Sequence, residues 1–172
     1  GAPAHAVILE SLKNFCTDSS FAWFESFLSD RQFYVQKDDQ RSSVRPLPAR
    51  GVPQGSGTGP VCFSRVFNEV LTNIKNNFEN VEVIAYADDL GLLISGDSEE
   101  EIITQVNECF EAIDAELNKK HIKIASHKTV GFKIGDWSKN ELKIKDMTVA
   151  CDDSILYLGL RLGKNISGGD IS

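Results

Sequence analysis

The feature that most constrains this chain is the stretch from Val83 to Ser95, which holds no charge except two adjacent carboxylates, Asp88 and Asp89. Two apolar runs of strand length, Val81 to Tyr86 and Leu90 to Ser95, meet at Ala87-Asp88-Asp89 and predict a hairpin too apolar to be exposed on either face. Like charges buried in such surroundings are costly unless something compensates them, and no Lys or Arg lies within the hairpin. A hard divalent cation such as Mg²⁺ would compensate. A solvated Asp-Asp turn at the tip would need none.

Around this hairpin the chain has the composition of one globular domain. It has 172 residues, 41% hydrophobic and 25% charged, which excludes disordered and coiled-coil classes. No apolar run approaches the roughly 18 to 20 residues of a membrane helix, so a soluble protein without a membrane partner is expected. Gly1 to His5 carry no initiator Met and no signal-type segment, as in a piece of a longer chain. Cys16, Cys62, Cys109 and Cys151 form no C-x-x-C pair, and His5, His121 and His127 fall in no metal-ligand spacing; a reduced, intracellular protein without structural zinc is expected. The net charge is −7, yet Asp97 to Asn118 carries eight acids and no base, leaving +1 for the rest. Arg31 to Arg65 and Lys119 to Lys145 are basic, so a polyanionic partner remains compatible with the charge.

Apolar spacing predicts helices over Ala6 to Phe15 and Ser20 to Leu28, with Ser19 or Ser20 as cap of the second. Phe21, Phe24, Phe27, Phe63 and Phe67 fall at helical spacing and are expected in the core. Phe33 to Gln36 and Ser43 to Leu47 read as a hairpin, Pro46 and Pro48 suiting an edge. Pro60 opens a helix to about Asn76 as its first residue. Ser98 and Glu101 form a capping box before the acidic helix, whose outer face is expected to be solvated. Strand-like pieces follow at 122–125, 130–134, 141–145, 147–150 and 155–162. The order predicts an α+β fold, antiparallel sheet backed by helices.

The second chemical element is Gly51-Val52-Pro53-Gln54-Gly55-Ser56-Gly57-Thr58-Gly59-Pro60, between the basic hairpin and a helix start. Its glycines let backbone approach a ligand and the helix N-terminus supplies N–H donors, although the spacing is neither that of a Walker nor of a dinucleotide loop and a merely flexible loop is the alternative.

With this loop and the Tyr86-Ala87-Asp88-Asp89 hairpin, the chain resembles the reverse transcriptase domain of non-LTR (LINE-type) retrotransposons. Gly51 to Pro60 resembles the family's G-V-P-Q-G-S-x-x-G-P loop and is followed by Phe63 and Asn68 as in that family. Ser26 to Arg31 resembles the segment preceding the loop, His127-Lys128-Thr129 the lysine motif, and Leu156-Tyr157-Leu158-Gly159 the Y-L-G of the primer grip. Gly57-Thr58 and Ser126 depart from the family's usual residues. The likeness runs from Ser26 to Leu162.

The resemblance implies a polymerase palm with part of the fingers, a single partial domain over 1–172 with its palm core at about 50–135 and primer-grip-like strands at about 141–162. It implies an RNA-directed DNA polymerase performing two-metal nucleotidyl transfer onto a primer 3′-hydroxyl, using Mg²⁺, with Mn²⁺ as the alternative, held by Asp88 and Asp89. It also implies nucleotide and template binding at Gln54, Gly55, Ser56 and Tyr86, a primer grip at Tyr157, Leu158 and Gly159, and Lys128 as proton donor to the leaving pyrophosphate. Lys128 could equally be one of the solvated lysines of a basic surface with Lys119, Lys120 and Lys123. The implied partners are an RNA template, a DNA primer, deoxynucleoside triphosphates, and the upstream and downstream domains of a polyprotein. A further metal-binding aspartate is expected upstream of Gly1, and the resemblance admits a nuclear location. The alternative is a non-catalytic palm-like scaffold binding nucleic acid or protein; an RNA-directed RNA polymerase is disfavoured because its hairpin usually carries Gly-Asp-Asp.

Overall fold

The apolar stripes of the sequence become four helices in the computed structural model, which describes residues 2–135 and 137–163. Gly1, the first residue of the segment expected to follow the upstream aspartate strand, lies outside the described residues. Helix α1 spans His5–Lys13 and α2 spans Asp18–Leu28. The cap of α2 is Thr17 rather than Ser19 or Ser20: the helix starts before them, so Thr17 Oγ1 accepts from the Ser20 N–H at 3.4 Å. Helix α3 spans Gly59–Asn77, making Pro60 its second residue rather than its first. Helix α4 spans Glu99–Lys119; Ser98 Oγ accepts from the Glu101 N–H at 3.2 Å. The Glu101 carboxylate reaches back one residue further than a capping box would, to the Asp97 N–H at 2.9 Å.

These helices share one core. Ile8 and Leu12 of α1, Val66 and Val70 of α3, and Ile113 of α4 are almost wholly removed from water, each burial worth about 1.5–3 kcal/mol. Phe24 and Phe67 are buried and Phe21, Phe27 and Phe63 pack against the same core, as expected. Burial pushes the Cys109 thiol up to about 11 and raises Cys62 and Cys151 as well, so all three are protonated packing groups. None of the four cysteines is in a disulfide. Among the described residues no helix is long and apolar enough to cross a membrane.

The strands distribute over several small sheets. Residues 32–46 form a nested hairpin in which β1 (Gln32–Phe33) pairs with β4 (Arg45–Pro46) and β2 (Gln36–Lys37) with β3 (Gln40–Arg41), all antiparallel and all exposed. Strands β5 (Val81–Tyr86) and β6 (Asp89–Ile94) form the central hairpin. Beyond α4 no strand forms at 122–125. His121 takes a left-handed φ of 58°, its N–H bonding the Asn118 carbonyl and that of Ile122 the Leu117 carbonyl, a Schellman ending that turns the chain and buries Ile122 without any strand neighbour. His121 thus terminates the helix, and both it and His127 are exposed surface histidines.

The chain then builds a three-stranded sheet with β9 (Met147–Asp152) at its centre, β8 (Glu141–Ile144) antiparallel to it and β7 (Gly131–Phe132) parallel, one exception to the antiparallel pattern expected. The single strand expected over 155–162 is instead a hairpin of β10 (Ser154–Tyr157) and β11 (Leu160–Gly163). It reverses at Leu158-Gly159, whose φ values of 51° and 82° give the paired left-handed conformation of a tight turn. The class is mixed α+β, as expected from the order of elements.

Candidate active site

Register decides what the β5–β6 hairpin presents. Tyr86 pairs with Asp89, so the turn itself is Ala87-Asp88, and Asp89 belongs to the strand. Val81, Val83, Leu90, Leu92 and Ile94 face the core. The opposite face carries Ile84, Tyr86 and Leu93, exposed by 52%, 64% and 50%, and with them Asp89. The expectation of a hairpin buried on both faces is therefore corrected: β5 and β6 pair only with each other, and helices cover one side. Both carboxylates are exposed, so burial does not by itself demand a counter-charge. Neither is in an ion pair among the described residues.

The turn is strained where it matters. Ala87 has φ +52°, a region that costs a non-glycine residue on the order of 1–2 kcal/mol, and it fixes the direction in which Asp88 leaves the hairpin. Two adjacent carboxylates on such a tip suit a hard cation by donor chemistry. Among the described residues no third His, Cys, Asp or Glu joins them in a metal-sized group.

The connection between α3 and β5 is only Phe78 to Asn80, and the two elements pack together. The strand thus packs on the helix that the Gly51–Gly59 loop precedes. Gln54 and Gly55 in that loop are exposed. Gly55 has φ +85° and open space where a Cβ would be, so its need for glycine is conformational. The Ser56 N–H bonds the Pro53 carbonyl at 3.1 Å and its own carbonyl accepts from Gly59 N–H at 3.2 Å, two turns that lead into α3. The loop's start is held by residues 3–5: Gly51 N–H donates to Pro3 O at 2.8 Å, and His5 Nε2 lies 2.9 Å from Gly51 O.

Tyr157 is brought to the hairpin. Its phenol lies against Gly91 on the open face, the hydroxyl oxygen 3.3 Å from where a side-chain carbon at Gly91 would stand. Leu158 and Gly159 are the exposed turn beyond it. Lys128 is exposed at the end of a 3₁₀ turn, Ser126–Lys128. The basic surface expected around it is smaller than the sequence implies: Lys120 is turned inward onto Glu69, Lys119 pairs with Glu116 and Lys145 with Asp114. Burial alone would raise the Glu69 carboxyl, but hydrogen bonds from Lys120 and Ser11 and the charges of Lys120 and Arg65 hold it below its ordinary value. Lys123 and Lys128 form no ion pair among the described residues.

The acidic helix face is likewise not simply solvated. Glu99 accepts from Ser138 Oγ at 2.7 Å, Ser138 N–H at 3.0 Å and Lys139 N–H at 3.2 Å, seating the segment before β8 on the start of α4. Trp23 is half exposed and stacks on Phe27 with ring centroids 4.9 Å apart. The Trp137 indole N–H bonds the Ile134 carbonyl. The roles of three residues escaped sequence reasoning: the His5 bond to the loop, the left-handed Ala87 and the close approach at Gly91. For Gly91 a signal existed, a lone glycine inside an apolar strand, which often marks close approach.

Comparison with known proteins agrees with these motifs. Residues 4–162 match the family model described as reverse transcriptase (RNA-dependent DNA polymerase). Over 168 residues the chain is 26% identical to the RNA-directed DNA polymerase from mobile element jockey of Drosophila melanogaster, covering 95% of this chain and 18% of that protein. It is 28% identical over 174 residues to the probable RNA-directed DNA polymerase from transposon BS of the same fly, covering 96% of this chain and 19% of the relative. It is 27% identical over 128 residues to a retrovirus-related Pol polyprotein from type-1 retrotransposable element R1 of Nasonia vitripennis, covering 70% and 37%. The chain thus spans well under half the length of each of these relatives. The resemblance to non-LTR retrotransposon polymerases is borne out, and the chain belongs to the reverse transcriptase (RNA-dependent DNA polymerase) family.

Proposed function

We propose that this chain is the palm portion of an RNA-directed DNA polymerase that extends a DNA primer on an RNA template from deoxynucleoside triphosphates. The family is generally dependent on a divalent metal. In this reading Asp88 and Asp89 would hold two divalent cations, Mg²⁺ or Mn²⁺, with a further ligand from outside the chain; when bound, these supply Lewis acidity to the primer 3′-hydroxyl and to the leaving pyrophosphate. Gln54, Gly55 and Ser56 border the incoming nucleotide and template, where exposed loop backbone offers hydrogen bonds without bulky side chains. Tyr86, on the open face beside Asp89, offers an aromatic surface to the nucleotide or primer end. Tyr157, Leu158 and Gly159 hold the primer, and Lys128 donates a proton to the leaving group.

The observation that carries this reading is the tip itself: two adjacent exposed carboxylates at the turn of an apolar hairpin. A non-catalytic scaffold has no physical need for two adjacent acids at the tip of an apolar hairpin. The test is Asp88→Asn in the complete polymerase, followed by single-turnover primer extension. We expect a loss of at least about 10³ in rate with template-primer affinity nearly unchanged. Full extension by the variant would overturn the reading.

A further inference from the structure

We propose that His5 is a positioning residue: a latch that fixes the conformation of the Gly51–Gly59 loop and, through it, the edge formed by Gln54 and Gly55. The functional half of this proposal rests on the reading of that edge as the nucleotide's border.

The argument begins with the backbone. Residues 3–5 and 49–51 are zipped together: Gly51 N–H donates to Pro3 O at 2.8 Å, His5 N–H donates to Ala49 O at 3.0 Å, and Ala4 bridges Arg50. Gly51 sits at φ +71°, a conformation that strains a side chain, and a Cβ there would stand 3.1 Å from the Ala2 Cβ, so glycine is favoured. The zipper ends at the Gly51 N–H. The next peptide group, whose carbonyl belongs to Gly51, is the first of the loop, and its orientation is set by the ψ angle of a glycine, the least restricted residue in the chain.

One side chain holds that carbonyl. His5 Nε2 lies 2.9 Å from Gly51 O, and because a carbonyl only accepts, Nε2 carries the proton in this contact. His5 is the first residue of α1, whose Ile8 and Leu12 are fully buried, so the imidazole is anchored to the core rather than to another loop. Gln54 follows Gly51 by three residues. Rotation about the Gly51 ψ would swing Gln54 and Gly55 relative to α3, and the His5 bond opposes that rotation.

The test uses the complete polymerase with two variants. His5→Phe keeps ring volume and removes the donor; His5→Gln places an amide N–H₂ at comparable reach. In His5→Phe we expect faster amide hydrogen exchange over Val52 to Ser56 with α3 unchanged, and a nucleotide KM raised about three- to tenfold at nearly constant template-primer Kd, the scale of one ordinary hydrogen bond. His5→Gln should restore both to within about twofold of the parent. Unchanged exchange in His5→Phe, or equal impairment in both variants, would overturn the latch. Faster exchange restored by Gln, with the nucleotide KM unmoved throughout, would instead overturn the functional half and with it the reading of Gln54 and Gly55 as the nucleotide's border.

Discussion

Gly91, in the middle of strand β6, lies beneath the ring of Tyr157: a side-chain carbon there would stand 3.3 Å from the hydroxyl oxygen and 3.4 Å from Cζ. The hydroxyl is buried and has no hydrogen-bond partner among the described residues. Distant segments thereby meet on the open face of the hairpin that carries the two aspartates. Gly91→Val should lower stability by about 1–3 kcal/mol through overpacking. Part of that loss should return in the Tyr157→Phe background, where the crowded oxygen is gone, while Tyr157→Phe alone should be close to neutral. Urea unfolding of the four proteins gives the coupling; equal costs in both backgrounds would show that the contact is not what requires glycine.

Ala87 provides a second test, because its left-handed φ is a property of the backbone. Ala87→Gly should stabilise the domain by about 0.5–1 kcal/mol, and Ala87→Val should destabilise it by more than that. Thermal unfolding decides the matter. A Gly variant no more stable than the parent would mean that the turn carries no strain to relieve.

Lys128 separates chemistry from charge. A positioned general acid contributes about 10² to 10⁴ in rate, whereas an exposed lysine that only attracts phosphate changes affinity and its salt dependence. Lys128→Ala in the complete polymerase should slow single-turnover addition at saturating nucleotide by at least about tenfold. Lys128→Arg, which keeps the charge without an accessible proton, should not recover that rate. A full maximal rate in the Arg variant, with primer-template binding made more salt-sensitive in the Ala variant, would assign the residue to electrostatics with Lys123.

The Glu99 seat predicts a pH effect of defined sign. Hydrogen bonds from the Ser138 hydroxyl first, then from the Ser138 and Lys139 amides, hold its carboxyl below the ordinary value. A carboxylate depressed on folding contributes stability above its unfolded pKa of about 4.3, and that contribution is lost as pH falls through the lower folded value. Acid unfolding of Glu99→Gln should therefore show a shallower dependence on pH below about 5 than the parent, with the segment around Ser138 exchanging faster. Parallel pH profiles for the two proteins would remove Glu99 from the acid transition.

Much of this protein was determined by its sequence alone, because the signals were local. The 3.6-residue stripes of α3 and α4, Ser98 before Glu101, and the apolar runs around Asp88-Asp89 each specify an element through neighbours a few residues away. The loop and hairpin motifs were equally plain, since the backbone freedom of glycine and adjacent carboxylates are visible in a string of letters. Tertiary structure decided the rest. The hairpin's two faces became different because helices cover only one, a matter of what packs where. Residues 122–125 did not become a strand because Ile122 had a core to fill and no neighbour to pair with. Lys120 left the basic surface because Glu69, far away in sequence, drew it inward. The contacts that join the site, His5 to Gly51 and Tyr157 to Gly91, are each made by residues dozens of positions apart, and no local periodicity encodes such a meeting.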